Sequence, residues 1–117
     1  FSDLAATARK AAPISSVCTV FAESEVVALI SQAAPREEIA LGLCKAVVDR
    51  VAALIYRVGL VEGVAMTGGV AKMKSVVAGI SAKLGVKVYV PPEPQIIGAL
   101  GAALIAQDLV LKPKKRP

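Results

Sequence analysis

Between residues 35 and 58 the apolar positions Ile39, Leu43, Val47, Val51, Leu54 and Val58 recur at helical spacing, with Arg36, Glu37, Lys45, Asp49, Arg50 and Arg57 largely off that stripe. This pattern predicts a long amphipathic helix. Pro35 opens it, Glu37 and Glu38 sit in the first turn where the helix dipole favours acids, and Gly59 stops it. "ISSVCTVF", residues 14–21, is β-branched and aromatic and reads as a strand, followed by a short helix over "ESEVVALISQ". "GVAMT" is a short apolar strand ending at Gly68-Gly69, "VAKMKSVVAGISAKLG" an amphipathic helix closed by Gly85, and "VKVYV" an alternating strand ended by Pro91 and Pro92. A last helix begins near Pro94, and the Ala-rich residues 1–13 read as the tail of another. Strands alternating with helices in the order β-α-α-β-α-β-α predict an α/β fold, a small sheet covered by helices.

Composition narrows the class. The chain has 117 residues, enough for one small domain or a part of a larger one, and it opens on Phe1 rather than Met, as a fragment does. Hydrophobic residues make up 56% and aromatic residues 3%, so the core must be built from small aliphatic side chains. Part of so apolar a surface is expected to face a neighbouring domain or subunit. The longest apolar run, "IIGALGAALIA", falls short of the roughly 18 residues of a membrane span. With no signal-peptide pattern, the expectation is a cytoplasmic protein without a membrane partner. The net charge of +5 falls to +1 once Lys112, Lys114, Lys115 and Arg116 are removed. The expected division is therefore a body over residues 1–111 and a basic tail over 112–117. A near-neutral body without stacking aromatics argues against a nucleic-acid partner.

There is no histidine, and Cys18 and Cys44 are the only cysteines. A mononuclear zinc site lacks its usual ligands, and Ser-His-Asp or Cys-His catalysis is excluded for this chain alone. The cysteines are left with core packing, a disulfide, or a cluster shared with other segments. "MTGGVAK", residues 66–72, carries the most suggestive chemistry. A strand, two glycines and a helix start let backbone approach a ligand and offer unpaired N–H groups to an anion. The same residues also suit a plain tight turn, and they match neither the Walker nor the GxGxxG spacing. In "QIIGALGAALIA" the face of Gly98, Ala99, Gly101, Ala102 and Ala103 is nearly free of side chains and suits close packing.

"CTVFAESEV", "TGGVAK" and "PEPQIIGALGAALIA", in this order and spacing, resemble the C-terminal part of the BadF/BadG/BcrA/BcrD ATPase family over residues 14–109. The resemblance implies one lobe of the actin/Hsp70/sugar-kinase ATPase fold, in which two lobes close on ATP. It places Thr67, Gly68 and Gly69 at the adenosine and α-phosphate side of ATP/ADP, with Lys45 and Gln95 lining the adenine side. It also implies a [4Fe-4S] cluster shared across a dimer, with Cys18 as one ligand. Its companion cysteine, the phosphate loop and the Mg2+-positioning acids belong to the missing N-terminal lobe. Cys44, mid-helix at an apolar position, reads as core. The family often has Asn where this chain has Met73, so a polar contact there is not expected.

The resemblance implies a component of an ATP-dependent electron-transfer protein that drives low-potential reduction of an acyl-CoA. Its partners would be a second ATPase subunit and an acyl-CoA reductase or dehydratase, and the fragment alone would be inactive. An Ala- and Val-rich chain without Asn inclines the expectation to the benzoyl-CoA reductase type over the 2-hydroxyacyl-CoA dehydratase activators. Two other classes remain open: a nucleotide-binding lobe without redox chemistry, as in sugar or acetate kinases, and a ligand-free interaction module.

Overall fold

The computed structural model describes residues 1–111, and the basic tail over 112–117 lies outside them. Its elements are α1 (Ser2–Ala6), α2 (Thr19–Ser31), α3 (Arg36–Val58), a single 3-10 turn (Gly69–Lys72), α4 (Lys74–Leu84) and α5 (Ile97–Leu111). The expected sheet is not among the described residues. "GVAMT" and "VKVYV" meet only at one isolated parallel bridge between Ala65 and Tyr89. Two short segments alone do not make a stable sheet in water. The strand expected over residues 14–21 is also absent: Cys18 is extended at φ −137°, ψ 130° and caps α2, which takes up the rest of the run. A short apolar run suits either structure, and periodicity alone does not separate them.

The long helix forms as its sequence predicts, with Glu37 and Glu38 in the first turn, Arg57 in the last, and Gly59 at φ 102° ending it. Its buried face overlaps the expected one only in part: Ile39 is buried and Val51 packs on the core. Ala40, Cys44, Val48 and Ala52 face the core with Val76, Ile80 and Leu84 of α4. The expected stripe is left partly in the open, with Val47 and Leu54 exposed and Val58 90% accessible. The reason is steric. Small side chains on α3 let α4 come close enough that a Cβ on Gly79 would lie 2.7 Å from Val48 Cγ2. Larger residues would hold the helices apart.

The seam is reinforced at its ends. Lys83 Nζ and Asp49 Oδ1 are 2.8 Å apart, and Tyr56 Oη donates to the Lys83 carbonyl at 3.0 Å. At the other end Ser75 Oγ lies 3.0 Å from Ser2 Oγ and 3.3 Å from Cys44 Sγ, which ties α1 to both helices. Cys44 is buried, as its position predicts. The segment before α2 lies on α3 at Gly42, where a Cβ would meet the Ala12 carbonyl oxygen. The helix expected over residues 70–85 is broken at Met73, which is extended at ψ 95° between the 3-10 turn and α4. Its half-buried side chain packs on the core, in accord with a position that holds no polar group. Gly85 then ends α4 in the left-handed conformation, φ 68°.

Outside this seam the chain is open. α5 has no buried residue and contacts none of the other described helices. The radius of gyration is 18.7 Å, against about 13 Å for a compact domain of this length. Phe21, Ile30, Leu104, Ile105 and Leu109 are all exposed.

Ile80 is almost fully buried in the seam, so Ile80→Ala should cost about 2–5 kcal/mol, measured as a lower urea midpoint. The carboxylate of Asp49 raises the pKa of Lys83 above the usual lysine value, through its hydrogen bond first and its charge second. That contribution is fully present below the unfolded lysine pKa of about 10.4 and fades as pH rises through the higher folded value. Melting curves between pH 9 and 12 should therefore show a smaller alkaline loss of stability in Lys83→Met than in the wild type.

Candidate functional site

Two loops converge beyond the parallel bridge. The Met66 N–H donates to the Tyr89 carbonyl and the Tyr89 N–H to the Val64 carbonyl, both at 2.9 Å. Just past this pairing the Gly68 N–H donates to the Pro94 carbonyl at 2.7 Å. The Lys72–Glu93 ion pair, 3.8 Å, spans the same two loops. Gly68 has φ 88° and ψ −178°, a conformation open to glycine and costly for any other residue. Apart from its chain neighbours, no atom lies within 4 Å of the position a Cβ would take there. At Gly69 a Cβ would lie 3.5 Å from the Gln95 side-chain amide. Gly68, Gly69 and Gln95 thus come together, with exposed Thr67 at the loop entrance. The result is bare backbone beside a side-chain amide, a surface suited to a flat, hydrogen-bonding ligand such as a nucleotide.

Lys45 lies elsewhere. It lines a recess between α3 and α4 with Leu41, Cys44, Asp49, Ser75 and Lys83. On the side of the converging loops, Lys72, Lys74, Val77, Pro91, Pro92 and Pro94 border a second recess, with the lysines at its rim.

Cys18 forms a separate feature. It is a free, half-buried thiol at the N-terminus of a thirteen-residue helix. There the Ala22 N–H donates to the Cys18 carbonyl at 3.0 Å. Two side chains that the sequence pattern did not single out hold the preceding segment. Glu25 Oε2 accepts from the Ser15 N–H, and Arg50 Nη1 donates to the Val17 carbonyl at 3.3 Å. Glu25 lies seven residues beyond Cys18, close to two helical turns, a spacing that had meaning only once the segment was known to be helical. Arg50 is separated by 32 positions and had no local signal. Among the described residues no group of three or more potential metal ligands occurs.

The profile of the BadF/BadG/BcrA/BcrD ATPase family matches residues 2–106. The chain belongs to that family. It is 47% identical over 111 residues to the activator of lactoyl-CoA dehydratase of Anaerotignum propionicum, covering 95% of this chain and 43% of that protein. It is 32% identical over 97 residues to a benzoyl-CoA reductase component of Thauera aromatica, covering 78% and 34%. It superposes with a TM-score of 0.88 and 38% identity on the activator of the 2-hydroxyisocaproyl-CoA dehydratase from Clostridium difficile with bound ADPNP, covering 97% of this chain and 42% of that one. The chain therefore spans less than half the length of these relatives. The expected lean to the benzoyl-CoA side is not supported, because the dehydratase activators are markedly more similar.

The left-handed backbone of Gly68 and the open space beside it lead to a direct expectation. Gly68→Ala should destabilise the protein by about 1–3 kcal/mol through backbone strain alone. Gly69→Ala, which meets the Gln95 amide at ordinary contact distance, should cost less. Chemical denaturation of the two variants side by side checks the order.

Proposed function

We propose that the chain is the C-terminal part of an ATP-dependent activator that delivers low-potential electrons to a 2-hydroxyacyl-CoA dehydratase. The nucleotide would lie on Thr67, Gly68 and Gly69, with Gln95 beside the base and Lys45 approaching only from the α3–α4 recess. The observation that carries the reading is the Gly68 turn, pinned to the Pro94 carbonyl with its Cβ side empty, in a chain that superposes on an ADPNP-bound activator. Bare backbone at that point admits the ligand closely, and the glycine conformation is already set before binding. Glu93 at this loop pair is paired with Lys72. As the family resemblance implies, Mg2+ and the rest of the phosphate site would belong to residues outside this chain, in the N-terminal lobe.

Cys18 fits one ligand of a [4Fe-4S] cluster: a free thiol, half-buried, at the positive end of α2. Such a cluster takes four thiolates, and Cys44 is buried against Ser75. This chain would thus supply one thiolate, a second copy another, and the remaining segments the other pair. The cluster supplies one-electron chemistry at low potential. The chain's own part is to hold Cys18 at the surface and to present the uncovered apolar faces of α2, α3 and α5 to the N-terminal lobe and the second copy. The proposed setting is the cytoplasm, with a lobe over residues 1–111 and a basic tail over 112–117.

The test uses the full-length protein made anaerobically, wild type against Cys18→Ser. Cys18→Ser should lose the iron and the low-temperature EPR signal of the reduced protein while still binding ATP. Iron absent from both, or unchanged by the substitution, would sink the cluster assignment and leave a nucleotide-binding lobe without redox chemistry.

A further inference from the structure

The two extended segments that meet at the parallel bridge leave an edge uncovered. Tyr89 directs both of its backbone groups at residues 64–66: its N–H donates to the Val64 carbonyl and its carbonyl accepts from the Met66 N–H. Successive residues of an extended chain turn their backbone groups to opposite edges. Val88 and Val90 therefore aim their N–H and C=O groups away from that pairing. Pro91 favours an extended Val90, because a residue before proline is steered away from the helical region. Among the described residues neither Val88 nor Val90 has a backbone hydrogen-bond partner. Val88 is nevertheless only 8% accessible. Backbone groups of buried residues are nearly always paired, so an unpaired row here is a template for a further strand.

Beside this edge lies a recess of about 500 Å³, lined by Val88 and Val90 and by Val77, Ala78 and Ser81 of α4, with Lys72 and Lys74 at its rim. A strand laid on the edge would turn every second side chain towards α4 and into the recess. Charge selects further. Among the described residues no carboxylate lines the recess. Lys72 is engaged by Glu93, and Lys74 forms no ion pair among the described residues. Two occupants from this chain fit poorly. A second copy would bring "GVKVYVPP", residues 85–92, whose one charged residue is the cation Lys87, and the tail over 112–117 carries only cations. Like charges set against each other across a strand pair are destabilising.

We propose that the outer edge of residues 86–90 takes an extended, acidic segment of a partner protein by strand addition, with alternate apolar side chains in the recess and a carboxylate on Lys74. This surface is separate from the nucleotide and cluster readings and depends on neither.

The test uses the full-length protein and three end-blocked heptapeptides. One alternates glutamate with valine, one is the same peptide N-methylated at every residue, and one has lysine in place of glutamate. Amide exchange at Val88, Tyr89 and Val90 is read by NMR. Without peptide, Val88 and Val90 should exchange faster than Tyr89, whose N–H is already bonded to Val64. The acidic peptide at about ten times its Kd should slow both by about tenfold. The methylated peptide, which cannot donate to the edge, should not. Lys74→Gln should weaken the acidic peptide about two- to fivefold, the range of an exposed ion pair. No added protection up to millimolar acidic peptide overturns the proposal, as does equal binding of the methylated or the lysine peptide. Unchanged affinity in Lys74→Gln overturns the carboxylate contact. Val88 and Val90 as protected as Tyr89 before peptide is added also overturns it: the edge is then covered by a second copy if dilution releases the two amides, and by another segment of the chain if it does not.

Discussion

The close approach of α3 and α4 holds the described structure together. It depends on what is missing from the side chains: Gly79 against Val48, and Ala40, Cys44 and Ala52 where larger residues would separate the helices. Interiors pack at crystal-like density, so a seam of this kind tolerates neither an added methyl at Gly79 nor a lost one at Val76. It also places α1 and the glycine turn, while α5 touches none of the other described helices. α1 is tied to Ser75 at one end, Tyr56 and Lys83 close the other, and the turn that carries Gly68 and Gly69 leads straight into α4.

The seam buries too little to account for the composition. Among the described residues twelve hydrophobic side chains are buried, most of them Ala or Val, while twenty-one large ones are exposed. A monomer rarely leaves so much apolar surface to water. The exposed residues fall on particular faces: Leu54 and Val58 along α3, Val20 and Phe21 beside Cys18, and nearly all of α5. A helix that is apolar all round belongs in an interior. The chain spans 43% of the length of the lactoyl-CoA dehydratase activator, and the proposed covering of these faces is by the further segments of such a protein.

This partition explains which readings of the sequence held. The α3 boundaries were legible because Pro35, the first-turn acids and Gly59 are local signals. Gly85 and the Gly68–Gly69 turn were legible for the same reason. The buried face of α3 was not. The periodic stripe of large aliphatics held only in part: Ile39 is buried and Val51 packs on the core, but the contact with α4 selects small residues and leaves Val47, Leu54 and Val58 exposed. The sheet failed likewise, because "GVAMT" and "VKVYV" find only each other among the described residues. The segment around Cys18 was misread because β-branched and aromatic residues at a helix start look like a strand. Arg50 stayed hidden because its contact with Val17 crosses from one helix to the segment before another, a relation no spacing rule encodes.

The same geometry constrains how the two halves of the proposed mechanism are connected. Among the described helices α2 rests on α3 and on no other, while α4 shares its main interface with α3 as well. A displacement of the Gly68–Gly69 turn that moves α4 therefore reaches Cys18 through α3, or through segments outside this chain. Within α3 the two contacts are in close register: Val48, which abuts Gly79, lies two residues from Arg50, which holds the Val17 carbonyl. A helix transmits such a shift with little loss because its backbone bonds fix neighbouring residues together, and a packed seam has few ways to absorb it. The tightness that stabilises α3 against α4 is thus also what would make the cysteine sensitive to events at the glycine turn.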